Sequence, residues 1–163
     1  MDRYTLHFPT TTPGATTTSM ASRGVALRYF NIFGPRQTDS AYAGVIPIFL
    51  EQARNGEPIT VDGDGSQTRD FVHIDDIVQA NLRAATTDAV GEAFNIGTGT
   101  ETSVLDLAET IQQATDTDSE IVHTEPRPAD IDHSVADISK ARELLDYEPR
   151  VSLQAGIESM VQE

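Results

Sequence analysis

From Gly24 onward the sequence alternates short apolar runs with helix-periodic segments, and glycine or proline punctuates many of the changes. This alternation is the strongest constraint on the fold, because strand–helix–strand order favours layered α/β packing. Val25 to Phe30 (VALRYF) predicts a buried strand, and Asn31 to Arg36 (NIFGPR) predicts a Gly-Pro turn that ends it. Val45 to Ala53 predicts a helix with Pro47 near its start, where a missing N–H does no harm, and Gly56 closes it. Ile59 to Val61 predicts a short strand before the turn Asp62-Gly63-Asp64-Gly65.

Further along, Thr68 to Ile74 alternates polar and apolar residues, a strand pattern. Asp75 is expected to cap a helix that runs to Thr86, with Ile77, Val78, Leu82 and Ala85 at helical spacing. Ala93 to Ile96 predicts a strand ended by Gly97 and Gly99. Ser103 with Asp106 predicts a helix start of the capping-box kind, followed by Val104, Leu107, Ala108 and Ile111 on one face. Glu120 to Thr124 reads as a strand, and helices are expected at 138–145 and 152–162.

Residues 1–24 break this texture. Seven threonines, two serines and two prolines fall there without apolar periodicity, so the stretch reads as a disordered tail or as a segment foreign to the fold. The folded unit is expected at 25–163. The chain carries 26 acidic and 11 basic residues, for a net charge of −15, and Lys140 is its only lysine. Such a surface repels nucleic acid and anionic membranes, so neither is expected as a partner. The same balance suits a protein adapted to high salt. The sequence has no cysteine, which excludes disulfides and thiolate metal sites. It shows no apolar run near the ~18 residues of a membrane span and no basic-then-apolar leader. A cytoplasmic protein is the expectation.

Among motifs, the absences weigh most. No G-x-x-G-x-x-G or G-x-G-x-x-G occurs, and the pairs Gly63/Gly65 and Gly97/Gly99 read as turn glycines. A calcium loop starting at Asp62 would need glutamate at its twelfth position, where His73 stands. His73, Asp75 and Asp76 are explained by a helix start, which favours carboxylates, and no metal is expected. Three polar features remain: Asn31 directly after an apolar run, Arg69 beside Asp70 inside a strand pattern, and Arg127 with Asp130 in the proline-bounded loop EPRPAD. Arg69 and Asp70 can be a buried ion pair. Alternatively, the arginines converge on phosphate through bidentate bonds. The chemistry leaves both readings open.

The strings LRYFNIFGPRQ (27–37), YAGVIPIFL (42–50), ITVDGDGSQTRDFVHIDDIVQA (59–80), AFNIGTG (93–99) and RPADIDHSVADISKAREL (127–144) resemble, in order, the carboxyl-terminal part of the NAD-dependent nucleotide-sugar epimerase/dehydratase family. This is a branch of the extended short-chain dehydrogenase/reductases, and the UDP-glucose 4-epimerases are the nearest members. The resemblance implies the remnant of a Rossmann-type parallel sheet plus a small α/β substrate-binding domain. It also implies roles. Phe30 would lie against the nicotinamide of NAD, and Asn31 would contact the pyrophosphate. Gly44, Val45, Thr60, Val61 and Asp62 would hold the base, largely through backbone groups. Arg69 would grip the pyrophosphate, Arg127 would be a second phosphate contact, and Asp130 would accept from the ribose. A UDP-sugar is the implied ligand. A homodimer or a missing amino-terminal domain is the implied protein partner.

The departures are chemical. The family's reaction uses Tyr-x-x-x-Lys, in which the tyrosine takes the sugar hydroxyl proton and the lysine lowers its pKa. Tyr4, Tyr29, Tyr42 and Tyr147 are followed four residues on by Phe8, Phe33, Ile46 and Val151, so the motif is absent. No catalytic residue is therefore expected here, and NAD is expected in the parent family but not on this chain alone. The implied activity is that of a truncated, inactive 4-epimerase portion, or of a nucleotide-sugar-binding module or partner subunit.

Overall fold

The computed structural model describes residues 24–37, 44–128 and 130–162. The tail expected at 1–24 lies outside them except for Gly24. In chain order the elements are β1 (Ala26–Tyr29), β2 (Asn31–Phe33), α1 (Val45–Asn55), β3 (Ile59–Asp62), β4 (Thr68–Arg69), β5 (Phe71–His73), α2 (Ile74–Thr86), β6 (Ala93–Ile96), β7 (Thr102–Ser103), α3 (Val104–Thr115), β8 (Ile121–Thr124), α4 (Ser139–Leu145) and α5 (Leu153–Val161). β1 pairs with β6, β2 with β5 and β3 with β8, all parallel, whereas β4 and β7 are antiparallel. The expected α/β class is the one that forms.

Two apolar cores share β5. Phe71 packs into one with Phe33, Phe49, Ile59, Val61, Leu107, Ile111 and Ile157. Its neighbour Val72 packs into the other with Ile77, Phe94, Ile96, Ala141, Leu145 and Tyr147. Successive strand side chains point to opposite faces, so one fully buried strand serves both cores. No helix among the described residues is long and apolar enough to cross a membrane.

Several helix ends match the sequence. Gly56 closes α1 in the left-handed conformation, with φ 68°. Ser103 caps α3, accepting from the Asp106 N–H at 2.9 Å and donating to Asp106 Oδ2 at 2.6 Å. Other expectations are corrected. The run 25–30 does not end at a turn: the chain shifts partner after Phe30, and Asn31–Phe33 forms β2 beside β5. The strand expected at 68–74 breaks at Asp70 into β4 and β5.

The cap of α2 is His73, whose Nδ1 accepts from the Asp75 N–H at 3.3 Å, and not Asp75. Helical spacing alone also misplaces the inner face of α2. Ile77 and Ala80 are buried, whereas Val78 and Leu82 are 51% and 67% exposed and Ala85 is exposed too. Asp76 occupies the inner face as well, because its carboxylate accepts from the N–H groups of Arg150 and Val151 at 2.8 and 3.1 Å.

Asp70 is fully buried. Its carboxylate accepts from Thr98 N (2.8 Å), Thr98 Oγ1 (2.7 Å), Gly99 N (2.9 Å) and Ala136 N (3.1 Å). Its carbonyl accepts from both Asn31 N and Asn31 Nδ2. One residue thus joins β2, the loop after β6 and the segment before α4. Gly97 passes so close that a β-carbon there would stand 2.6 Å from Asp70 Oδ2 and from the Ala136 methyl.

Two predictions follow from these contacts. Asp70→Asn turns an amide NH₂ toward backbone donors, so it should cost about 2–4 kcal/mol, read as a lower urea midpoint. In the loop after β3, Ser66 donates its hydroxyl (2.7 Å) and its N–H (2.9 Å) to Asp64 Oδ1. These bonds hold the Asp64 pKa below the ordinary carboxylate value, with the hydroxyl bond the larger cause. The stabilisation is present above the unfolded-state pKa and fades as pH falls through the folded-state one. Ser66→Ala should therefore raise the Asp64 pKa in an NMR titration.

Candidate functional site

Ligand crevices in parallel α/β structures form at the carboxyl ends of strands, and the polar residues singled out by the sequence gather at such ends. Asn31 lies just past the end of β1, Asp62 ends β3 and Arg69 ends β4, while Arg127 and Asp130 lie on the segment after β8. A cavity of about 230 Å³ is lined by Asn31, Gly44, Val45, Thr60, Asp62, Arg69, Arg127 and Asp130. Apolar side chains of α1 and the first core, including Phe49 and Phe71, form its wall.

Arg69 is fixed from three directions. Its Nη1 donates to the carbonyls of Thr68 (2.8 Å) and Ile131 (2.6 Å), and its Nη2 donates to Asp130 Oδ1 (2.5 Å). Asp70 faces the other way, so the buried Arg69–Asp70 pair does not form. Arg127 lies across the mouth, 72% exposed, with its Nε 2.5 Å from Asp62 Oδ2. The cavity therefore presents two guanidiniums and two carboxylates, a balanced set in a chain of net charge −15.

Two expected site residues do not line it. The Val61 side chain is fully buried in the first core. Phe30 packs against the second core, and its N–H donates to Ile96 O at 3.0 Å. The Thr60 N–H is already bound by Gln52 Oε1 at 3.1 Å, and Gln52 Nε2 donates to Thr60 Oγ1 at 2.8 Å. Sequence reading missed Gln37 and Gln67, which do line the cavity. Gln67 Nε2 donates to Asp62 O at 3.0 Å and braces the end of β3. Gln37 Oε1 is buried without a hydrogen-bond partner, which leaves an acceptor in the wall. The one sequence signal for Gln37 is its place at the end of the string NIFGPRQ.

Gly65 and Gly97, one of each closely spaced glycine pair, are not free to cradle a pyrophosphate. A pyrophosphate cradle needs glycines whose open side faces the ligand. Gly65 instead faces Val61 Cγ1 and Leu105 Cβ at 2.8 and 2.9 Å from an added β-carbon, and Gly97 faces Asp70. Tyr147, the fully buried tyrosine, is taken as well. Its hydroxyl donates to Gly97 O at 2.9 Å, and burial, then the charges of Asp76 and Asp70, raises its pKa far above the ordinary value. It cannot accept a substrate proton near neutral pH. Asp76 turns away from the neighbouring His73 and Asp75 to the chain before α5, and among the described residues no group of three or more is placed to hold a metal.

A second, larger cleft of about 570 Å³ lies apart from the arginines. It is lined by Val25, Leu27, Tyr29, Ala85 and Val90, among others, and by no charged side chain.

The profile of the NAD dependent epimerase/dehydratase family matches residues 15–97. The chain is 38% identical over 142 residues to UDP-N-acetyl-alpha-D-glucosaminuronate decarboxylase of Bacillus cytotoxicus, covering 83% of this chain and 44% of that protein. It is 41% identical over 132 residues to UDP-glucose 4-epimerase of Mycolicibacterium smegmatis, covering 81% and 42%. Among solved structures, UDP-glucose 4-epimerase of Thermotoga maritima with UDP-glucose superposes with a TM-score of 0.82 at 42% identity, covering 86% of this chain and 45% of that one. UDP-glucuronic acid 4-epimerase of Bacillus cereus, in complex with UDP-glucuronic acid and NAD, gives a TM-score of 0.77 at 35% identity, covering 85% and 44%. The chain thus spans less than half the length of these relatives. By profile, sequence and fold together, it belongs to the NAD-dependent epimerase/dehydratase family.

Proposed function

We propose that residues 25–163 form the nucleotide-sugar-binding part of an NAD-dependent 4-epimerase of the UDP-glucose/UDP-galactose type, and that this part carries no catalysis alone. The observation that carries the reading is the convergence of Arg69, Arg127, Asn31 and Asp130 on one cavity walled by apolar side chains. Guanidiniums gathered at a cavity suit an anionic ligand, and a pyrophosphate accepts from planar donors with the right spacing. In this reading Arg69 exchanges the Asp130 carboxylate for phosphate, Arg127 adds a second phosphate contact, Asn31 assists, and Asp130 accepts from a ribose hydroxyl. Gly44, Val45 and the backbone of Thr60 and Asp62 border the base, with Val61 behind them in the core.

NAD belongs to the parent protein's chemistry, where it would accept and return hydride. Phe30 would face it only once a dinucleotide-binding half is present. The uncharged cleft beside β1 and α2 supports a need for more protein there. A homodimer is the other candidate partner, and a cytoplasmic, salt-adapted setting fits the charge. A second reading rests on the same pocket and on Tyr147 being committed to Gly97: a module that senses or sequesters nucleotide sugars, or joins a separate cofactor-binding chain.

The test is calorimetric titration of UDP into the chain and its Arg69→Ala variant. Loss of one anchored arginine should weaken binding about ten- to a hundredfold. Unchanged affinity would remove the phosphate assignment. Incubation of the chain with UDP-glucose and NAD should yield no UDP-galactose, and any turnover would overturn the non-catalytic reading.

A further inference from the structure

The two arginines of the cavity are held differently. Arg69 is anchored by two backbone carbonyls as well as by Asp130. Arg127 is a long side chain on an exposed segment, and among the described residues its one ion-pair partner is Asp62, met through Nε. A free arginine samples many rotamers, and each one fixed before binding is one that the ligand need not order. What fixes Asp62 therefore governs Arg127.

The register of β3 on β8 sets Asp62 opposite Thr124. Thr124 Oγ1 donates to Asp62 Oδ1 at 2.9 Å, and the Gly63 N–H donates to Thr124 O at 3.0 Å. The other carboxylate oxygen, Oδ2, is the one that meets Arg127. Arg127 follows three residues after Thr124 and is flanked by Pro126 and Pro128, which limit the backbone. Pro126 lies over Gly63, whose φ of 66° is the left-handed turn conformation that glycine favours. Engagement through Nε leaves the terminal Nη1/Nη2 edge for a second anion, the edge that takes phosphate in a bidentate manner.

We propose that Asp62 and Thr124 are positioning residues for nucleotide binding: the relay Thr124–Asp62–Arg127 holds the Arg127 guanidinium at the cavity mouth with its terminal edge free for a pyrophosphate. This rests on the nucleotide-sugar reading above. The opposing possibility is that Asp62 occupies Arg127 as an internal anion, so that the ligand must displace it. The two differ in sign.

The experiment is a double-mutant cycle read by titration of UDP, with uridine as the phosphate-free probe. Asp62→Asn, which keeps the hydrogen bond from Thr124 but loses the charge, should weaken UDP binding about three- to tenfold, the scale of freeing one long side chain. Thr124→Val should weaken it in the same direction, uridine should be unaffected by either because residue 62 meets the base through its backbone, which neither substitution removes, and Asp62→Asn should have no further effect in an Arg127→Ala background. Tighter UDP binding by Asp62→Asn would overturn the proposal in favour of an internal anion. An effect that persists without Arg127, or that appears equally with uridine, would overturn it as general damage to the loop. Thermal midpoints of all variants identify any that fail to fold, and in that case Thr124→Ser, which keeps the hydroxyl, must retain the affinity of the parent chain. If UDP binds but neither Arg69→Ala nor Arg127→Ala weakens it, the underlying reading fails. If UDP does not bind the chain at all, both fall.

Discussion

A buried carboxylate organises this structure. Water is the best solvent for an ionised aspartate, so a fully buried one is tolerated only when fixed donors replace its hydration. At Asp70 those donors are backbone N–H groups from two separated segments plus one hydroxyl. The donors come at a price in chain freedom: Gly97 can be nothing larger, and the segment around Ala136 must run back to the sheet. The neighbours of Asp70 on either side, Arg69 and Phe71, both line the cavity. Arg69 reaches the cavity because its neighbour is committed elsewhere.

The cavity then inherits its charge pattern from the strand ends. β3, β4 and the segment after β8 deliver an aspartate, an arginine and an arginine–aspartate pair to one place. The balance of two cations and two anions keeps the empty cavity from concentrating like charge. Two arginines with different degrees of restraint give it one rigid cation and one whose fixation depends on neighbours. The apolar wall from α1 excludes water from one side, which strengthens the polar contacts on the other.

Much of this was legible in the sequence, and the failures have specific causes. Gly56 and Ser103 were readable because helix ends demand a left-handed residue or a hydroxyl acceptor, whatever the tertiary context. The turn expected at Asn31 failed because β2 is short and its pairing with β5 comes from residues about forty positions away, which no local pattern encodes. Helical periodicity in α2 was real, yet Val78, Leu82 and Ala85 lie on the outer side, and a buried Asp76 took an inner position because Arg150 and Val151 supply its donors. Arg69 and Arg127 stood out by scarcity of cations, but chemistry alone could not choose between a buried pair and a ligand. The direction of Asp70 removes the first of these, and Arg69 pairs with Asp130 instead. Gln37 and Gln67 carried no such contrast and emerged only from the geometry.

Among the described residues no strand pairs with the far side of β1, and this has a consequence for exchange with solvent. In a parallel ladder, alternate amides face one neighbour. Ala26 and Phe30 donate to Glu92 and Ile96 across the β6 side, which turns the amides of Leu27 and Tyr29 to the outer edge. Deuterium uptake along this strand should then follow a comb, slow at 26 and 30 and fast at 27 and 29. Any further strand laid along that edge would erase the comb, so the isotope pattern of five residues reports whether the sheet ends here or continues into another piece of protein.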